Sequence, residues 1–140
     1  MQYETSAEID APQDLIWAVL VDVERWPQWT ASTTRVESTH GTALAIGSRV
    51  RIKQPRTPLS TWEVTDLDPG RSFTWQNVRR GVTTVATHRL AVTPGKRVLV
   101  TLTVSQSGAL ASIVGLLSSD MIRRYIQMEA EGLKRRSEAG

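Results

Sequence analysis

The chain has 140 residues, no cysteine and two histidines, and its 17 basic and 14 acidic residues leave a net charge of +3. That length suits one ordinary domain, expected over residues 1–140, and such a domain buries roughly 70% of its unfolded surface, enough for a sizeable or even a hollow core. A disulfide framework and a thiolate metal centre are excluded, His40 and His88 lie too far apart for a local metal pair, and the scattered basic residues form no nucleic-acid-binding tail.

The opening Met-Gln-Tyr-Glu-Thr-Ser has neither a basic n-region nor an apolar h-region, and no window approaches a membrane-spanning apolar run. A soluble cytoplasmic protein without stable membrane insertion is expected. Tyr3, Ala7 and Ile9 among polar neighbours predict a first strand over Tyr3 to Ile9. A helix follows over Pro12 to Val21. Pro12 suits a first helical turn, Asp14 complements the helix dipole, and Leu15, Ile16, Val19 and Leu20 make an apolar stripe. Asp22 is placed to cap a short turn through Val23, Glu24 and Arg25, and Pro27 biases Trp26 away from helical geometry, so the chain should bend between Trp26 and Trp29.

From Thr33 to Ser105 the apolar period is two, broken by turn residues at Gly41, Gly47, Pro55 with Pro58, Asp68-Pro-Gly70, Gly81 and Pro94-Gly95. Strands are predicted at Thr33 to His40, Ser48 to Gln54, Ser60 to Leu67, Ser72 to Arg79, Val82 to Val92 and Arg97 to Ser105, close enough in sequence for antiparallel hairpins. After Gly108 the period becomes 3.6. Leu110, Ile113, Val114, Leu117, Met121, Tyr125, Met128 and Gly132 share one stripe of a long helix reaching about Arg136. Gly115 and Gly132 are weak helix formers there, marking either a close approach or local looseness.

This succession resembles the START-like or Bet v 1-like helix-grip superfamily and, within it, the small polyketide cyclase/dehydrase-type (SRPBCC) proteins. The resemblance spans essentially the whole chain. It rests on Ala11-Pro-Gln-Asp-Leu-Ile-Trp17, Asp22-Val-Glu-Arg-Trp-Pro-Gln-Trp29, Trp62-Glu-Val-Thr-Asp-Leu-Asp-Pro-Gly70 and Met128-Glu-Ala-Glu-Gly-Leu-Lys134. It implies an α+β fold: a seven-stranded curved antiparallel sheet wrapped around the long C-terminal helix, with two short helices between strands one and two. A cavity for a hydrophobic small molecule of polyketide, lipid or aromatic type is implied between sheet and helix. Some members cyclise or dehydrate their ligand and others only carry or sense it, so the fold by itself does not choose between enzyme and carrier. No cofactor or metal is implied, and the expected state is a monomer or homodimer.

Strand parity places Val82, Thr84, Ala86, His88, Leu90 and Val92 on one face, which should look toward the helix. On that face His88 has the chemistry of a general acid or base near neutral pH, or of a hydrogen-bond partner for a ligand carbonyl. No sequence-adjacent carboxylate orients it, and a core histidine satisfied by a neighbour fits the same pattern. The same parity groups Phe73, Trp75 and Asn77, then Trp62 with Val64, then Val50 and Ile52 with Gln54. Asn77, Gln54 and Thr84 would be the few polar groups of an apolar pocket wall. Trp26 and Trp29 are candidates for its rim, and Leu117, Met121 and Tyr125 for its helical side; simple core packing of the tryptophans explains them equally well.

Arg49, Arg51 and Lys53 form a basic stripe on the opposite strand face, for which a solvated outer surface is the expected role and nucleic-acid binding the alternative. The acidic pairs Asp66 with Asp68 and Glu129 with Glu131 fit turn and surface-helix roles. Ser118-Ser-Asp120 lacks the context of a nucleophile elbow, and no phosphate loop or dinucleotide fingerprint occurs.

Overall fold

The computed structural model describes residues 2–38 and 43–140. Strand β1 (Gln2–Ile9) leads into helix α1 (Gln13–Val21) and a 3-10 turn (Val23–Gln28). Strands β2 (Arg35–Ser38), β3 (Arg49–Lys53), β4 (Ser60–Asp68), β5 (Ser72–Arg79), β6 (Val82–Val92) and β7 (Val98–Ser107) follow, and helix α2 (Ala111–Glu138) closes the chain. Among the described residues the strands form one curved antiparallel sheet in the order β1-β7-β6-β5-β4-β3-β2. Each neighbour from β2 to β7 is a sequence neighbour, which is the meander expected of closely spaced turns. His40, Gly41 and the end of the strand expected over Thr33 to His40 lie outside the described residues.

Strands β5 and β6 have the bounds that their alternation predicts, whereas β7 runs two residues past Ser105 because Thr83 and Thr84 of β6 still pair with Ser107 and Gln106. In α1 the apolar stripe buries Ile16 and Leu20, and Pro12 precedes the helix in extended geometry instead of opening its first turn. Asp22 does not cap the 3-10 turn with its side chain; it pairs with Arg25 at 3.3 Å. The turn continues through Pro27, because the fixed φ of proline suits 3-10 geometry and the missing N–H deprives only the carbonyl three residues earlier, at the exposed Glu24.

The Trp-Pro-x-Trp corner is held from both sides. Trp26 Nε1 donates to the Leu20 carbonyl at 3.0 Å, satisfying an end group of α1. On the other side α2 approaches so closely that a Cβ added to Gly132 would stand 2.1 Å from the Trp29 carbonyl oxygen. A close approach therefore explains this glycine. Between Val64 and Asp66 the pairing of β4 with β5 shifts register, an added residue of the kind that bends and twists a strand.

The convex side of the sheet edge carries the basic stripe, and acidic neighbours meet it. Arg49 lies 3.3 Å from Glu63, Arg51 lies 2.9 Å from Glu37, and Arg35 reaches the other oxygen of Glu37 at 3.5 Å. Lys53 Nζ instead donates to the carbonyls of Gln54 and Thr57, tying down the turn after β3.

Candidate functional site

Between the concave face of the sheet and α2 lies a cavity of about 350 Å³, partly open to solvent. Strand alternation builds one wall: Ile52 from β3 with Gln54 just beyond its end, Trp62 from β4, Trp75 and Asn77 from β5, Thr84, Ala86 and His88 from β6, and Leu102 and Val104 from β7. Helix α2 builds the other with Val114, Ser118, Met121, Ile122, Tyr125, Ile126 and Glu129.

Of the residues expected to bind the ligand or form the pocket's rim, Trp26, Gln54, Trp62, Trp75, Asn77, Thr84, His88, Met121 and Tyr125 line this space, whereas Phe73, Trp29 and Leu117 stand apart from it. Phe73 is fully buried beneath the His88 ring, stacked on it at 4.1 Å and 12°. Trp29 packs behind Trp26, at 5.5 Å between centroids, and borders a separate outer groove with Arg135 and Arg136. Leu117 is 81% exposed. The cavity face of α2 is set by Val114, Ser118 and Tyr125, and one residue's step turns Leu117 about 100° away from Ser118.

Sequence parity placed His88 correctly on the concave side, where it is 2% exposed. Its register partners are Phe73 of β5 and Leu102 of β7. Trp26 and Trp75 lie 5.7 and 5.5 Å from its ring centroid. Nδ1 stands 3.3 Å from the Phe73 carbonyl oxygen, which can only accept, so Nδ1 carries the proton and Nε2 the lone pair. Burial lowers the His88 pKa to about 4, and the Phe73 hydrogen bond offsets only part of that effect.

Glu129 is the site residue that the surface-helix assignment missed. Its carboxyl Oε2 is 3.7 Å from His88 Nε2, at the cavity wall rather than on the outer face of α2. Burial raises its pKa to about 8, so at neutral pH the carboxyl is protonated beside a neutral imidazole. The signal available was spacing: Glu129 follows Tyr125 by four residues and Met121 by eight, on the same helical stripe. Glu131, by contrast, is exposed and holds Gln127.

The remaining polar groups are mostly committed. Asn77 Nδ2 donates to the Thr61 carbonyl at 2.8 Å, which leaves Oδ1 as an acceptor for a ligand. Gln106, beyond the expected end of its strand, lines the cavity and reaches Thr84 at 3.4 Å. The Tyr125 hydroxyl does not point a free donor at the cavity; it donates to the Pro55 carbonyl and so fastens the β3–β4 turn to α2. Arg79 and Arg80, which no sequence pattern singled out, border the cavity from the end of β5 and the turn after it. Among the described residues no three His, Asp or Glu side chains are grouped for a metal ion, and no helix is long and apolar enough to cross a membrane.

Solved structures with this architecture include a hypothetical protein from Helicobacter pylori, 16% identical with a TM-score of 0.81 over 97% of this chain and 86% of the other. Ginseng major latex-like protein 151 from Panax ginseng matches over 98% and 97% of the two chains with a TM-score of 0.80 at 14% identity. An aromatase/cyclase from Streptomyces matches over 99% and 93% with a TM-score of 0.73 at 20% identity. At these identities the likeness is one of fold. No curated protein matches the sequence. The family model described as "Polyketide cyclase / dehydrase and lipid transport" matches residues 1–138, and the chain therefore belongs to that family.

Proposed function

We propose that this protein binds a hydrophobic small molecule of polyketide, lipid or aromatic type in the cavity between sheet and α2, within one domain formed by residues 1–140. The observation that carries the reading is the cavity itself: about 350 Å³, with apolar walls from Trp26, Trp62, Trp75, Leu102 and Met121 and polar side chains such as Gln54, Asn77, His88 and Glu129 at its border. That size and composition suit a ligand of a few rings or a short acyl chain. An enzymatic form of the reading has His88 moving protons during cyclisation or dehydration, as the family's description and the aromatase/cyclase fold-mate suggest. A carrier or sensor uses the same cavity without the chemistry.

Organic extraction of the purified protein followed by mass spectrometry is the test. A co-purifying apolar compound of matching size, displaced stoichiometrically by an added analogue, is expected; an extract with no such compound, together with no binding of apolar probes, defeats the reading. His88→Gln separates enzyme from carrier, since a glutamine still hydrogen-bonds a ligand. Affinity changes modestly in both, but turnover falls by roughly 10²-fold or more only in an enzyme. We place the protein in the cytoplasm as a monomer or homodimer, without a nucleic-acid partner. The ion pairs of Arg49 and Arg51 with Glu63 and Glu37 support the last point, because they compensate much of the basic stripe. Binding to duplex DNA should stay weak and non-specific at physiological salt, and sub-micromolar, salt-sensitive affinity would contradict it.

A further inference from the structure

Helix α2 begins with an exposed apolar surface. Leu110 and Ile113 are about half exposed, and Leu116 and Leu117 about four-fifths. No charged residue occurs from Val98 to Ser119, so no charge interrupts the group. Large apolar side chains left exposed together mark an interaction site in a folded protein. The group is also held in place. The Leu110 N–H donates to the Gly81 carbonyl at 2.9 Å, and a Cβ added to Gly81 would stand 2.7 Å from Leu110 Cγ, so this leucine lies directly on the β5–β6 turn.

That turn supplies the charge. Arg79 and Arg80 immediately precede Gly81, are exposed, and border the cavity together with Val114 and Ser118 of α2. The apolar face thus sits beside the cavity opening with two cations on its rim. Asp120 is the one acidic residue from Val98 to Tyr125, and Arg123 and Arg124 follow it. We propose that this end of the molecule docks reversibly on a bilayer containing anionic lipid, with Leu110, Ile113, Leu116 and Leu117 at the acyl boundary and Arg79 and Arg80 among the headgroup phosphates. The proposal goes beyond ligand binding, because the docking face is external and works whether or not the cavity is filled.

Chemistry favours the bilayer over other occupants. Protein interfaces are anchored by tryptophan, tyrosine and arginine and under-use leucine, yet the face is aliphatic and no tryptophan or tyrosine is exposed among the described residues. A second copy docked two-fold through the same face would bring Arg79 and Arg80 toward their own counterparts, since such a contact joins a patch to itself. A fluid apolar phase beneath a negative surface suits the leucines and the arginines at once.

The experiment is flotation of the purified protein with vesicles of phosphatidylcholine, alone or mixed equally with phosphatidylglycerol. Binding should be clear on the anionic vesicles, weak on the neutral ones, and should fall as salt rises above about 0.1 M. This dependence needs no variant. Leu116→Ser with Leu117→Ser should lower partition on the anionic vesicles by about tenfold or more. Arg79→Gln with Arg80→Gln should lower it by about 25-fold, at about fivefold per cation near an anionic surface. Arg135→Gln with Arg136→Gln removes the same charge about 27 Å along α2 from Leu117 and should leave partition within about twofold. Wild-type protein that stays soluble with both vesicles overturns the docking, as does an equal loss in the Arg135 and Arg136 control. Self-association that the leucine changes abolish, without flotation, gives the face to a second copy and overturns it too. Saturation-transfer NMR with naphthalene, without vesicles, reads the cavity separately. Naphthalene binding should survive the leucine changes, and its absence in the wild type counts against the ligand-binding reading alone.

Discussion

Two buried groups with opposite protonation preferences give the protein a pH signature independent of any ligand. The pKa of His88 falls on folding from 6.5 to about 4, so the folded state binds fewer protons than the unfolded state between those values, and stability is lost as pH drops through them. The pKa of Glu129 rises from 4.5 to about 8, so the folded state binds more protons, and stability is lost as pH climbs through that interval. From pH 4.5 to 6.5 the two slopes oppose each other. From 6.5 to 8 only Glu129 acts, which amounts to about 2 kcal/mol of lost stability. Urea unfolding at pH 6.5 and pH 8 should show this decline in the wild type and its absence in Glu129→Gln. An equal decline in both would assign the slope to other groups. Gly132→Ala is a second residue-scale test. The new methyl meets the Trp29 carbonyl, and forced repacking costs about 1–3 kcal/mol or more, read as a lower urea midpoint.

At the scale of elements, α2 has two unlike halves. Its C-terminal half buries Ile126, Ala130, Leu133 and Ser137, while Ile113 and Leu116 of its first turns are 57% and 80% exposed. Leu133→Ala should therefore cost about 2–5 kcal/mol, whereas Leu117→Lys should stay within about 0.5 kcal/mol, both measurable by denaturant melts; equal losses would contradict the placement of Leu117. The strands were legible because period two reports a face directly: parity alone put His88, Thr84, Trp75 and Asn77 on the cavity side. The helix was read less well. A stripe drawn through apolar residues passed over Glu129, since a buried carboxyl looks like a surface one until its partner is known. The same stripe took in Leu117, since apolar character shows that a residue tolerates burial, not that anything covers it. Pairing across β2, β3 and β4 was hidden for another reason: Arg49 with Glu63 and Arg51 with Glu37 depend on register, which a basic stripe read alone does not contain.

Across the whole molecule the chain's two ends are stitched together. All eight residues of β1 pair with β7, and α2 then returns over β1. Lys134 Nζ donates to the Glu8 carbonyl at 2.7 Å, and the Asp10 N–H donates to Glu138 at 2.9 Å. Partners so distant in sequence make for slow closure, so refolding followed by tryptophan fluorescence should take milliseconds to seconds rather than microseconds. A microsecond phase carrying most of the amplitude would contradict a sheet that must close before its core forms. The pairing of β1 with β7 also governs what happens on the ribosome. Strand β1 finds its neighbour only after residue 107 has been made, and at usual elongation rates Tyr3 and Ile9 wait about 5–20 s without the surfaces that bury them. During synthesis, β1 is the strand of this sheet that depends longest on chain still to come to stay out of the wrong pairing.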